Sequence, residues 1–135
     1  ATTWSNALEL REKVNAALSE ALEDGERRGI VLCHLSHCYP TGTSLYWTYV
    51  FARDEEDELE QWRRIKRVAS EAVVANGGTI SHQHGVGRDH APWLIHEKGL
   101  EGMAAIRSLI GHFDPQQRLN PGCLIQDSDV TDKQG

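Results

Sequence analysis

Long apolar runs, basic excess and paired cysteines are all missing from this sequence of 135 residues. No stretch approaches the roughly 18–20 consecutive apolar residues that a membrane-crossing helix needs, so no membrane span is expected. Hydrophobic residues make up 39%, below the usual share of a globular domain but enough for a core. The amino-terminal stretch lacks the basic-then-apolar order of a secretory signal. With 14 Lys and Arg against 20 Asp and Glu, the net charge is −6, and nucleic-acid binding, which needs a basic stripe, is not expected. Three cysteines (Cys33, Cys38 and Cys123) are an odd number without a Cys-x-x-Cys pair, which points to free thiols in a reducing, cytoplasmic compartment. In an extended segment 31–38, Cys33 and Cys38 would face opposite sides and could not pair. Repeats, low-complexity tracts, a phosphate-binding P-loop and a Gly-x-Ser-x-Gly elbow are also absent. Histidine is the one residue in evident excess: five of the seven fall within 34–37 and 82–90.

Along the chain, residues 3–24 read as an amphipathic helix with Trp4, Leu8, Val14, Leu18 and Leu22 as its stripe and Gly25 and Gly29 at its exit. Residues 30–38 and 44–52 alternate like strands, joined by Tyr39-Pro40-Thr41-Gly42-Thr43, where Pro fixes φ and Gly tolerates positive φ. Alternation puts His37 with Val31, Cys33 and Leu35, and His34 on the opposite face. Asp54 to Glu58 open a second helix, whose stripe is Leu59, Trp62, Ile65, Ala69, Ala72 and Val73 and whose end is Asn76-Gly77-Gly78. A short strand is expected at 79–82, then a helix from about Asp89 with Pro92 in its first turn, and another over 99–112. Asn120-Pro121-Gly122 closes the ordered part before a polar tail. The order helix, strand, strand, helix, strand matches a ferredoxin-like unit without its first strand. An α+β fold follows, with an antiparallel sheet, helices on one face and further helices at the carboxy terminus.

Chemistry is offered by few side chains. His82 and His84, at i and i+2 of an expected strand, would share a face and could hold a substrate oxygen or a metal; His90, His37 or His34 could add a third group. Ordinary hydrogen-bonded histidines are the competing reading. Tyr46, between Ser44 and Thr48, is either a packing residue or, beside an imidazole, a proton carrier. Gly85-Val86-Gly87-Arg88 allows close backbone approach and supplies an Arg for a carboxylate or phosphate, but the dinucleotide fingerprint does not line up around it.

The strings GGTISHQHGVGRDHAPWLIHEKG (77–99) and FDPQQRLNPGCLI (113–125) resemble the carboxy-terminal domain of FAD-linked oxidases of the vanillyl-alcohol-oxidase type. CHLSHCYPTGTSLYWTYVF (33–51) is most similar to the alkyldihydroxyacetonephosphate synthase branch. The resemblance implies a substrate-binding cap domain over 1–125, with 126–135 as a tail, completing an active site over FAD that an upstream domain of the same protein binds. It implies an acid/base role for Tyr46 and roles in the histidine cluster for His82, Gln83 and His84, where Gln83 departs from a frequent third His and cannot titrate. Asn120 marks the segment returning to the flavin domain, so Asn120 and His84 are the expected cofactor contacts. His37, Gln83 and Arg88 are expected to contact substrate. In the dehydrogenase branch two His and a Glu bind a divalent metal; here Tyr46 and Gln83 replace two of those three ligands, and no metal is expected.

The absent initiator Met and the missing strand read as a fragment of a larger flavoprotein, inactive alone. A 2-hydroxy acid dehydrogenase cap, a stand-alone metal-binding histidine module and an oligomerisation domain with an exposed sheet edge are the alternatives.

Overall fold

The computed structural model describes residues 1–23 and 29–126. Gly25 and the polar tail from residue 127 lie outside the described residues. The chain divides into two compact units, Ala1–His82 and Gln83–Gly135.

The first unit is built on an antiparallel sheet of three strands, β1 (Thr2–Thr3), β2 (Ile30–Cys38) and β3 (Gly42–Val50), in the order β1-β3-β2. Helix α1 (Trp4–Ala21) follows β1 directly, and helix α2 (Glu58–Ala75) follows β3. The α+β class and the hairpin are as the sequence predicts. Where no first strand was expected, Thr2 and Thr3 pair with Thr43 and Gly42. The strand expected at 79–82 does not form. Its remnant is a single exchange in which Thr79 N–H donates to Ala1 O (2.8 Å) and the Ala1 amino group donates to Thr79 O (3.3 Å). A ladder grows only as long as both its strands, and β1 is two residues long. The pairing still places segment 79 beside β1, so the spatial order is that of a four-stranded ferredoxin-like sheet.

Helix α1 packs on β2 and β3, and α2 packs on α1. Leu10, Val14, Leu18, Leu22, Leu45 and Ile65 form the core, against Val31, Cys33, Trp47, Tyr49 and Phe51 on one sheet face and Ala69, Ala72 and Val73 on α2. The expected α1 stripe is thus displaced. Leu10 is 1% exposed whereas Leu8 is solvent-facing, because the buried positions step by four from Leu10. Trp4 is also exposed, and its indole N–H donates to Tyr39 O at 2.8 Å. In the core, the Trp47 indole donates to Asn15 Oδ1 at 2.7 Å, tying α1 to β3.

Helix α2 starts four residues later than the acidic run suggests. Asp54 Oδ1 accepts from the amides of Glu56 and Asp57, a local turn that competes with helix, and Asp57 then becomes the cap by accepting from Glu60 N–H. Leu59 and Trp62, in its first turns, are exposed rather than part of the packed stripe.

Gly42 serves the fold by a different route than its turn position suggested. Its φ is not positive; instead β1 runs so close that an added Cβ would collide with the carbonyl oxygen of Thr2. The tight turn is Pro40-Thr41, flanked by the Tyr39–Gly42 backbone pair.

The second unit holds α3 (Ala91–Phe113), with Pro92 in its first turn and a break at Gly99 (φ 67°, ψ 175°) that separates the two expected helices. Ala91, Leu94 and Met103 are its buried apolar residues. Beyond α3, Asp114 accepts from the amides of Arg118 and Leu119 and folds the chain back.

Candidate functional site

Register is what assembles the site. From Ile30↔Val50 to Leu35↔Leu45 the strands pair without a break, then Ser36 bulges and pairing resumes at His37↔Ser44. A bulge inserts one residue and reverses the alternation beyond it. His37 therefore sits opposite Ser44, on the side of β3 that carries Tyr46, rather than with Leu35 as simple alternation predicted. The same shift puts Cys38, opposite Thr43, on the side of Cys33. Four residue positions along β3, from Trp47 to Thr43, roughly 13 Å, still keep these two thiols apart. Cys33, Cys38 and Cys123 are free thiols.

The face away from α1 carries Ile30, Leu32 and His34 on β2 and Tyr46, Thr48 and Val50 on β3. It is open: Ile30 is 62% exposed, Val50 63% and Tyr46 48%. His34 is paired across the strands with Tyr46, their ring centroids 5.3 Å apart and their planes at 34°. Such cross-strand pairs hold each other's rotamers, and both side chains here are exposed.

A second group forms at the turn end of the hairpin. Tyr39 stacks on His37 with centroids 6.4 Å apart and planes within 8°. His82 meets both edge-on, 5.7 Å from His37 and 5.6 Å from Tyr39, and its Nε2 lies 2.9 Å from the Tyr39 hydroxyl. His37 Nδ1 lies 3.0 Å from Ser36 Oγ, so the bulge residue also orients the ring it displaced. Of the expected site residues, the first unit thus brings His37 and His82 into contact and sets Tyr46 on the sheet face with His34. Tyr39 was not singled out by sequence reasoning, and His34 was named only as a third group for His82 and His84, not as the partner of Tyr46. Tyr39 looked like turn chemistry, and the partner of Tyr46 depends on register, which periodicity does not reveal.

The second unit carries Gln83, His84, Arg88 and Asn120. The segment 82–84 is a bend and Gln83 has φ 64°, so the strand alternation that would put His82 and His84 on one face does not exist here. Arg88 Nη2 donates to Pro121 O at 2.7 Å, and Leu124 N–H donates to Gly87 O at 3.4 Å. These bonds fasten the Asn120-Pro121-Gly122 turn, with Asn120 at φ 53° and Gly122 at φ 74°, to the 85–88 loop. Only one of the five guanidinium donors is used in that bond, so anion binding by Arg88 is chemically compatible with it. Among the described residues no group of three His, Cys, Asp or Glu is arranged to hold a metal ion.

Burial shifts two groups. It pushes the Cys33 thiol up, against a smaller lowering by the Arg11 guanidinium, and it raises the Tyr49 phenol. Both belong to the core face of the sheet, which keeps them as neutral packing residues.

The first unit is thus an α+β unit with imidazoles and phenols on an exposed sheet face. Residues 1–124 match the family model "FAD linked oxidases, C-terminal domain", and the chain belongs to that family. The chain is 28% identical over 122 residues to an alkyldihydroxyacetonephosphate synthase of Trypanosoma brucei brucei, covering 90% of this chain and 20% of that protein. It is 32% identical over 95 residues to the Dictyostelium discoideum protein of the same name, covering 70% and 16%. To the glycolate oxidase subunit GlcD of Bacillus subtilis it is 39% identical over 70 residues, covering 52% and 15%. The chain therefore spans about a quarter or less of the length of the curated relatives it matches. No helix among the described residues is long and apolar enough to cross a membrane.

Proposed function

We propose that this chain is the substrate-binding cap of an FAD-dependent enzyme of the alkyldihydroxyacetonephosphate synthase type, acting with an FAD-binding domain of the same protein. The observation that supports the reading most is the open sheet face, where the His34–Tyr46 pair sits among exposed Ile30, Leu32 and Val50. An apolar sheet face of this kind is ordinarily covered. A flat, largely apolar flavin ring with a substrate against it is a fitting cover. The dinucleotide part of FAD has no such counterpart: around Gly85 and Gly87 a Cβ would meet nothing within 4 Å, and no strand leads into that loop. This division suits a chain that completes a flavin site without holding most of the cofactor, and that is inactive alone.

When bound, the flavin supplies an electrophilic ring able to accept a hydride or to bond a substrate carbon. The residues of this chain handle protons and position. Tyr46, fixed by His34, moves a proton at its phenol oxygen, which a positioned side chain can do at a gain of about 10²–10⁴-fold. His82 donates to or accepts from a substrate oxygen, with His37 packed against its ring. His84, Gln83 and Arg88 bind substrate, Arg88 taking an anionic group such as a phosphate. Asn120 and His84 contact the cofactor.

A second reading is favoured by the GlcD likeness: the cap of an enzyme that oxidises a 2-hydroxy acid. The two are separated in the full-length, FAD-loaded enzyme by following flavin absorbance. Turnover of an acyl-dihydroxyacetone phosphate without net bleaching supports the first reading. Rapid bleaching by a 2-hydroxy acid, with no turnover of the acyl phosphate ester, overturns it in favour of the second.

A further inference from the structure

Tyr39 is held more firmly than a turn residue needs to be. Its carbonyl accepts from the Trp4 indole at 2.8 Å, and its N–H donates to Gly42 O at 2.8 Å. Its ring is stacked on His37, and Gly42 itself is packed against β1. Trp4 and Gly42 thus fix the Tyr39 backbone and His37 stacks on its ring, whose hydroxyl stands 2.9 Å from His82 Nε2. His82 itself lies in a bend rather than in a strand.

We propose that Tyr39 is the positioning residue of this site, its phenol donating to Nε2 of His82 and thereby holding the His82 proton on Nδ1. A neutral imidazole has one donor and one acceptor, and the bond made by one nitrogen dictates the state of the other. With Nε2 occupied as acceptor, Nδ1–H is the donor His82 offers to a substrate oxygen. Tyr39 touches no reacting atom; it acts by fixing the tautomer and ring plane of the group that does. The inference rests on the cap reading for its catalytic consequence, but the tautomer lock belongs to this chain alone.

The test begins on the 135-residue chain labelled with ¹⁵N, using long-range ¹H–¹⁵N correlations of the histidine rings. The expected spectrum shows neutral His82 protonated at Nδ1, and Tyr39→Phe converts it to an average of both tautomers while His34 is unchanged. Wild-type His82 protonated at Nε2 or already averaged, or a Tyr39→Phe spectrum identical to wild type, overturns the proposal. The wild-type spectrum decides by itself if Tyr39→Phe does not fold. In the full-length FAD-loaded enzyme, Tyr39→Phe should lower kcat by about tenfold with KM nearly unchanged, as loss of an orienting bond does. Loss of turnover in His82→Gln with full turnover in Tyr39→Phe overturns the positioning role. Full turnover in His82→Gln removes the cap reading's use of His82, and with it the catalytic consequence, whatever the tautomer.

Discussion

The two units are built by different means. Ala1–His82 has seven buried apolar residues, from Leu10 to Ile65, and among the described residues it contains one backbone position with positive φ, Gly77. Among the described residues from Gln83 onward there are three buried apolar residues and eight positive-φ positions, four of them not glycine: Gln83, Gln117, Asn120 and Leu124. The first unit is held by side-chain packing on a sheet; the second combines one kinked helix with turns whose backbone is fastened to other turns. Rigid packing suits a face that must hold ring geometry. The turn-rich unit carries the polar residues expected to meet substrate and cofactor.

That contrast sets the order of mutational effects. Ile65→Ala removes a fully buried side chain from the shared core of α1, α2 and the sheet, and should cost about 2–5 kcal/mol in urea unfolding. A cost below about 1 kcal/mol would mean the first unit is not held by its core. Gly42→Ala should cost about 1–3 kcal/mol, because β1 must shift away from the added methyl, and amide exchange at Thr43 should accelerate. Gly87→Ala makes the comparison sharper. It has open space and φ 61°, so only backbone strain remains, about 1–2 kcal/mol. Equal and large costs at both glycines, with no exchange change at Thr43, would remove the distinction. Arg88→Ala should cost least in overall unfolding, about 0.5–1 kcal/mol, with faster exchange confined to 120–124.

The thiols extend the comparison to pH. Cys33, with its thiol raised by burial, should react with iodoacetamide more slowly than exposed Cys38 at every pH below the alkaline range. A raised folded-state value means that the stabilising contribution is complete below the ordinary thiol range and is lost as pH climbs through the folded value. Tyr49 adds the same sign at higher pH. Unfolding free energy should therefore fall on the alkaline side, and Cys33→Ala should flatten the first part of that fall.

The first unit was legible in the sequence where period decides structure. The hairpin, α1 and α2 follow from alternation and helical spacing, and the histidine excess pointed to the residues that gather on the sheet. Three things were not legible, each because it depends on a neighbour distant in sequence. The Ser36 bulge reverses a face with no compositional signal. The loss of the 79–82 strand depends on the length of β1. The purpose of Gly42 is space for Thr2, which only the folded chain reveals. In the second unit Pro92 and Gly99 marked the helices correctly, whereas the Arg88–Pro121 bond joins residues 33 positions apart and left no local trace.

The open sheet face, with Tyr46 at its middle, is where we propose that this chain does chemistry. The direct measurement is turnover of the full-length, FAD-loaded enzyme carrying Tyr46→Phe, alongside its flavin absorbance. Turnover lower by about 10²-fold or more, with flavin content unchanged, is the predicted result. Turnover at the wild-type rate with the same flavin content would contradict it.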